Sequence, residues 1–304
     1  MKDFKIGADP EFSVIDSRKS LHSLIEAEDF LERSPLRHDG EGPLGADGNG
    51  RTFEIRPGPS LNPLQVVANI HGIFAQASNQ DHRLFGLSWR AGSCYGDLPL
   101  GGHIHFGTAE MGLRNEQAMP VLDSYVGVLG MLIENKVEAI ARRKAHGYGC
   151  SNNFRRKEWG FEYRCPSSWL TSPYVAAAIL CLAKTVLNEL VNPPGTSVLK
   201  DYTRGGGEVY SPIDKCDFKW MGEQFSHIWE DVTRMQLYQT YKPYIDLIYR
   251  LVDKRLTWFP ATTMKAAWGV ADTSVPLPKR MGLDTIWNRY RQETLHTEGE
   301  HNHD

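Results

Sequence analysis

Four short segments of the chain each set two polar side chains two positions apart around one bulky residue. They are Asp9 and Glu11 around Pro10, Glu54 and Arg56 around Ile55, His103 and His105 around Ile104, and Glu162 and Arg164 around Tyr163. On an extended strand the members of such a pair point to one face. Ile6, Phe12, Phe53, Ile55, Ile104, Phe106, Phe161 and Tyr163 are large and apolar and suit the opposite, core-facing side. The polar faces then look either at water or into a shared cavity, and alternation alone fits both. In "GGHIHFG", residues 101–107, the flanking glycines permit a backbone or a ligand to come close, while ordinary hydrogen bonds would also satisfy both imidazoles.

The cavity reading carries a charge problem. Asp9, Glu11, Glu54 and Glu162, with Asp47 of "GADGNG" as a fifth, are carboxylates that cost several kcal/mol each when buried unpaired, or else take up protons. Two divalent cations would set four positive charges against these five negative ones. Carboxylate oxygens suit magnesium, and one histidine in the set also accommodates manganese. A structural network of ion pairs produces the same pattern.

The rest of the 304-residue chain bounds the reading. Hydrophobic residues make up 41% and charged ones 23%, as in a soluble globular protein, and the net charge of −3 gives no case for nucleic acid or an anionic membrane as main partner. Five scattered cysteines without a C-x-x-C pair fit a reducing compartment, so a cytoplasmic location is expected. No apolar run reads as a membrane span. Helical spacing is expected over 21–33, over 62–80 behind Pro63, over 115–145 with a boundary or kink at Pro120, over 174–191 and again from 208 to 259. Arg142, Arg143, Lys144 and His146 read as cations at a helix C-terminus, and Tyr148 as a packing residue. The expected organisation is one domain over 1–292, including a helical extension over about 208–292, with a disordered polar tail at 293–304.

Taken together, "GADPEFSVID", "GADGNGRTFEIRP", "GGHIHFG" and "WGFEYRCPSSWLTSPYVAAAILCLA" occur in an order that resembles the glutamine synthetase and glutamate–cysteine ligase superfamily. The similarity is closer still to a phage- and bacteria-associated group of COOH–NH2 ligases, and runs over roughly residues 4–190. The resemblance implies an α+β, glutamine synthetase-like catalytic domain: a curved, mainly antiparallel sheet with a polar, metal-lined face and helices packed on the other. It implies an ATP-dependent carboxylate–amine ligase that forms an amide through an acyl phosphate. ATP and two or more Mg²⁺ or Mn²⁺ ions are the implied cofactors, with small-molecule or peptide carboxylates and amines as substrates.

Position by position, the resemblance assigns Glu11, Asp47 and Glu54 to one ion and Asp9, His103 and Glu162 to a second. It places His105 beside the nucleotide phosphates and Arg164 on the transferred phosphoryl group. A further phosphate arginine is implied at Arg155 or, in the other register, Arg156. Arg56 is a candidate for gripping a substrate carboxylate, or else for an internal ion pair with one of the glutamates. Asp9 and Asp47 are shorter than the glutamates of glutamine synthetase. A guanidino-kinase-like phosphotransferase and a non-catalytic binding protein on the same scaffold are the alternatives. An oligomer is compatible with all three readings.

Overall fold

The computed structural model describes residues 2–16, 18, 23–36, 42–113, 115–205, 208–209, 211–258 and 264–270. Its first two strands, β1 (Ile6–Ala8) and β2 (Glu11–Asp16), are separated only by Asp9 and Pro10 and belong to different sheets. Proline at this point has no N–H for a ladder, and the chain crosses from one sheet to the other there.

In the second sheet β2 pairs with β3 (Ser23–Ile25), with β5 (Phe53–Ile55), itself paired to β4 (Leu44–Ala46), and with β6 (Ser88–Arg90). A small hairpin of β7 (Cys94–Tyr95) and β8 (Leu98–Pro99) follows. In the first sheet β1 pairs with β9 (Ile104–Phe106), which pairs with β11 (Gly160–Tyr163), which pairs with β10 (Phe154–Lys157). All of these pairings are antiparallel.

The two-residue period sorts the faces. Ile6, Ile104, Phe106, Phe161 and Tyr163 are fully buried on one side of the first sheet. Gly7, His105, Glu162 and Arg155 lie in successive register on the other. In the second sheet Phe12, Phe53 and Trp89 gather around Phe74 and one another, with ring centroids 5.1–5.6 Å apart for the closest pairs.

Helices cover the apolar side. Pro63–Gln80 starts with Asn62 accepting from the Leu64 N–H, with proline at its first position. Pro173–Val191 starts with Ser172 accepting from the Val175 N–H, and packs against both Pro63–Gln80 and Tyr238–Asp253. By length and composition this helix is apolar enough to cross a membrane, but 89% of it is buried inside the protein, which makes it a core helix. Its buried Lys184 is satisfied by the Phe4 carbonyl and the Asp3 carboxylate.

Three expectations from local spacing differ from the fold. Helix over 21–33 shrinks to Ala27–Glu32, because Ser23–Ile25 pairs with Val14–Asp16 and the sheet's hydrogen bonds outweigh local propensity; residues 21–22 lie outside the described set. The 115–145 pattern is a series: Asn115–Leu122, a wide π-type segment Asp123–Gly127, Val128–Leu132, Lys136–Ile140 and a second wide segment Ala141–Ala145. Pro120 sits inside the first helix, and the widened turns begin just beyond it. Helix expected from 208 begins later, because Glu208–Val209 pairs as a strand with Arg204–Gly205; Pro212–Lys215, Phe218–Arg234 and Tyr238–Asp253 carry the helical pattern beyond it. The end of the expected extension, 271–292, and the tail, 293–304, lie outside the described residues.

Candidate active site

The crossing at Asp9–Pro10 brings both sets of acidic residues to one place. Asp9 follows β1, His103 immediately precedes β9 and Glu162 stands on β11, and these three offer ligand atoms within 4.8 Å of one another. His103 Nδ1 is 3.3 Å from Asp9 Oδ1 and 3.5 Å from Glu162 Oε1. Both of those oxygens are buried without a hydrogen bond. His105 turns its Nε2 to Asp9 Oδ2 at 3.1 Å.

The second group is Glu11, Asp47 and Glu54, whose ligand atoms also lie within 4.8 Å of one another. Glu11 and Glu54 are register partners across β2 and β5. Asp47 begins the turn that closes the β4–β5 hairpin, donating its N–H to the Thr52 carbonyl at 2.9 Å. Glu11 Oε2 accepts from the Gly101 N–H at 2.8 Å. A Cβ on Gly101 would stand 2.5 Å from His103 Nε2 and 2.9 Å from Glu11 Oε1, so the close approach of the two groups requires glycine there.

The carboxylates are strained electrostatically as they stand. Burial pushes Glu54 up to about 8, with Asp9, Asp47 and Glu11 repelling it and Arg56 opposing the shift. Burial also raises Glu11, partly countered by His103 and reinforced by Asp47. Asp9 goes the other way: the adjacent His103 and His105 imidazoles outweigh its burial and hold it well below the usual carboxylate range. Orphaned buried oxygens, one all-carboxylate set and one set of two carboxylates with an imidazole are what hard divalent cations satisfy. The residues present fit such ions.

Cations flank Glu162, which is wholly buried. Arg164 Nε lies 3.1 Å from its Oε1, and Arg155 Nη1 and Lys157 Nζ lie 3.4 and 3.5 Å from its Oε2. Arg155 is the register partner of Glu162, whereas Arg156 is that of Phe161. Arg156 therefore points away from the acidic groups and pairs with Glu116. Arg56 makes an internal ion pair: its Nε is 2.6 Å from Glu54 Oε1, and its other nitrogens donate to the Gly42 and Ala46 carbonyls.

Three features escaped the sequence reading. Lys157 shares the Arg155 face by the same two-residue period, a signal present in "FRRK". Arg142 and Arg143 stand in the last turn of Ala141–Ala145, as helix-end cations do, but are also buried; Arg143 Nη1 pairs with Glu134 Oε2 at 2.9 Å. Tyr148 reaches the acidic groups, its hydroxyl lying 3.0 Å from Glu11 Oε1 and 2.8 Å from His103 Nε2. Along the same face, beyond His105, Gly7 and Gly107 help line a cavity of about 350 Å³ with Pro57, Pro59, Lys5 and Trp159. The Trp159 and His105 ring centroids are 5.2 Å apart.

No curated protein matches the chain. Among solved structures it is similar to a chain of the crystal structure of the complex between prokaryotic ubiquitin-like protein Pup and its ligase PafA. The TM-score is 0.48 at 10% sequence identity, over 94% of this chain and 75% of that one. A family match spans residues 6–270 and thus takes in every strand and both acidic groups described above. By that match the chain belongs to the phage phiEco32-like COOH·NH2 ligase-type 2 family.

Proposed function

We propose that this carboxylate–amine ligase activates its acid substrate as an acyl phosphate on the polar face shared by Asp9, Glu11, Glu54, His103 and Glu162. Family membership makes it an enzyme that joins a carboxylate and an amine into an amide at the expense of ATP. A carboxylate carbon is a poor electrophile at neutral pH. Transfer of the γ-phosphoryl group gives it a leaving group, and an amine then displaces phosphate to leave the amide.

The observation that carries this reading is the adjacency of two ligand sets under three cationic side chains. Divalent ions held by the two sets would neutralise phosphate charge and bind the acid's oxygens. Arg164, Arg155 and Lys157 supply fixed positive charge where charge spreads over the transferred phosphoryl group. All three pair with Glu162, so a phosphate entering between them gains pre-oriented donors. His105 lies at the junction of this charged region and the neighbouring cavity. That cavity, mostly apolar, walled by Pro57 and Pro59 and edged by the half-exposed Trp159, suits a flat nucleobase. Arg56, fixed to Glu54 and two carbonyls, holds the β4–β5 hairpin and with it Asp47.

The test is calorimetric binding of ATP with Mg²⁺ or Mn²⁺ to the wild type and to Glu162→Ala. Nucleotide binding that needs the metal and is lost in the variant supports the site, and amine-dependent phosphate release then assigns substrates. Equal binding by both proteins places the ATP site elsewhere.

A further inference from the structure

One side chain outside the two ligand sets touches both of them. The Tyr148 hydroxyl bridges Glu11 of one set and His103 of the other, at 3.0 and 2.8 Å. The local chain is shaped for this placement. Gly147 and Gly149 have φ of +61° and +72°, and a Cβ on Gly149 would stand 1.6 Å from Arg142 Nη1. Arg142, fully buried, donates to the Cys165 and Pro166 carbonyls at 2.9 and 3.0 Å, and its guanidinium lies 4.8 Å from the Tyr148 ring centroid. Arg164 approaches the same ring at 5.9 Å. The ring is therefore located by two guanidinium groups, Arg142 from the helical turn before it and Arg164 from just beyond β11.

A phenol has one proton to donate, while its oxygen also accepts. His103 directs Nδ1 at Asp9 and Glu162 and Nε2 at Tyr148. For Nδ1 to offer a lone pair to a cation, the imidazole proton must sit on Nε2, where the Tyr148 oxygen accepts it. The phenolic proton then points at Glu11 Oε1, and Glu11 Oε2 keeps the Gly101 N–H. Run in reverse, with Tyr148 donating to Nε2, the same chain of hydrogen bonds puts a proton on Nδ1 and closes that ligand position.

We propose that Tyr148 is a positioning residue that fixes His103 as the Nε2–H tautomer and couples the two cation groups through Glu11, so that filling one favours filling the other. The inference rests on the two-cation reading above.

The test is titration of Mn²⁺ into the metal-free full chain, followed by calorimetry, for the wild type, Tyr148→Phe and Glu162→Ala. The wild type is expected to bind with co-operative saturation. Tyr148→Phe, with an unchanged circular dichroism spectrum, is expected to bind about ten- to a hundredfold more weakly and without co-operativity. A Tyr148→Phe isotherm that superimposes on the wild type overturns the proposal. Failure of the cation reading looks different, since then the wild type takes up no Mn²⁺ and Glu162→Ala matches it. A second measurement needs no Tyr148 variant: ¹⁵N spectra of histidine-labelled wild type with Mg²⁺, the His103 signal being assigned by its loss in His103→Asn. The Nε2–H tautomer is expected, and Nδ1–H at His103 with the ion bound overturns the proposal.

Discussion

Glu11 and Glu54 stand directly opposite each other on paired antiparallel strands, an arrangement that sets like charges side by side. Burial and the neighbouring Asp9, Asp47 and Glu11 push Glu54 up to about 8 against the pull of Arg56, and so favour proton uptake in the metal-free fold. A carboxyl whose folded value lies above its unfolded one contributes stability at low pH that is lost as pH rises through the folded value. The metal-free protein should therefore lose melting temperature between about pH 5 and 8. Cation binding needs the carboxylate, so Mg²⁺ should bind more tightly as pH rises to about 8 and should release protons at pH 7. Melting curves with and without Mg²⁺, and calorimetry in two buffers of different ionisation enthalpy, measure both effects.

Arg155 and Arg156 are neighbours in sequence but face opposite ways on β10. Arg155→Ala should lower kcat by roughly 10²-fold, on the scale of losing one fixed donor to a developing charge. Arg156→Ala breaks an exposed pair with Glu116, of little energetic weight, and should stay within about twofold of the wild type. Steady-state kinetics of the two variants side by side decide the register.

Trp159 offers its ring to the cavity beside His105. Stacking of a base on an aromatic ring contributes about 1–3 kcal/mol. Trp159→Ala should raise the KM for ATP roughly tenfold while leaving kcat nearly intact, and Trp159→Phe should recover most of the loss. An unchanged KM for ATP in Trp159→Ala would place the base elsewhere.

Asp123 lies on the opposite side of the first sheet, accepting from the Tyr163 hydroxyl and the Asn152 N–H at 2.7 Å each. Burial pushes it up to about 7, with Asp214 and Asp201 adding to the shift and these two donors opposing it. Its contribution to stability is complete below about pH 4 and is lost as pH rises through 7, a change of roughly a few kcal/mol. Asp123→Asn should flatten that dependence, so its stability relative to the wild type should improve between pH 5 and pH 8. Urea unfolding of both proteins at the two pH values measures the difference.

The face of each strand was legible in the sequence, because a two-residue period needs no partner to be read. Asp9, Glu11, Glu54, His103 and Glu162 could be grouped on that ground, and the fold brings Asp9, His103 and Glu162 together in one set and Glu11 and Glu54 together with Asp47 in another. The helix behind Pro63 was legible from its proline and apolar spacing, because both signals are local. Ser23–Ile25 was not, since a strand at a sheet edge depends on what lies beside it.

Sequence by itself determined which side chains form polar pairs and which large apolar residues face the core. Tertiary structure alone decided which pairs share a site. Register across β10 and β11 set Arg155, and not Arg156, opposite Glu162, a relationship that no single strand contains. The turn at Gly147–Gly149 carried Tyr148 to Glu11, 137 residues away in the chain, and the choice followed from a buried arginine holding two distant carbonyls. Period is a property of the chain; proximity between strands belongs to the fold, because packing and hydrogen bonding are satisfied only when all the partners are present.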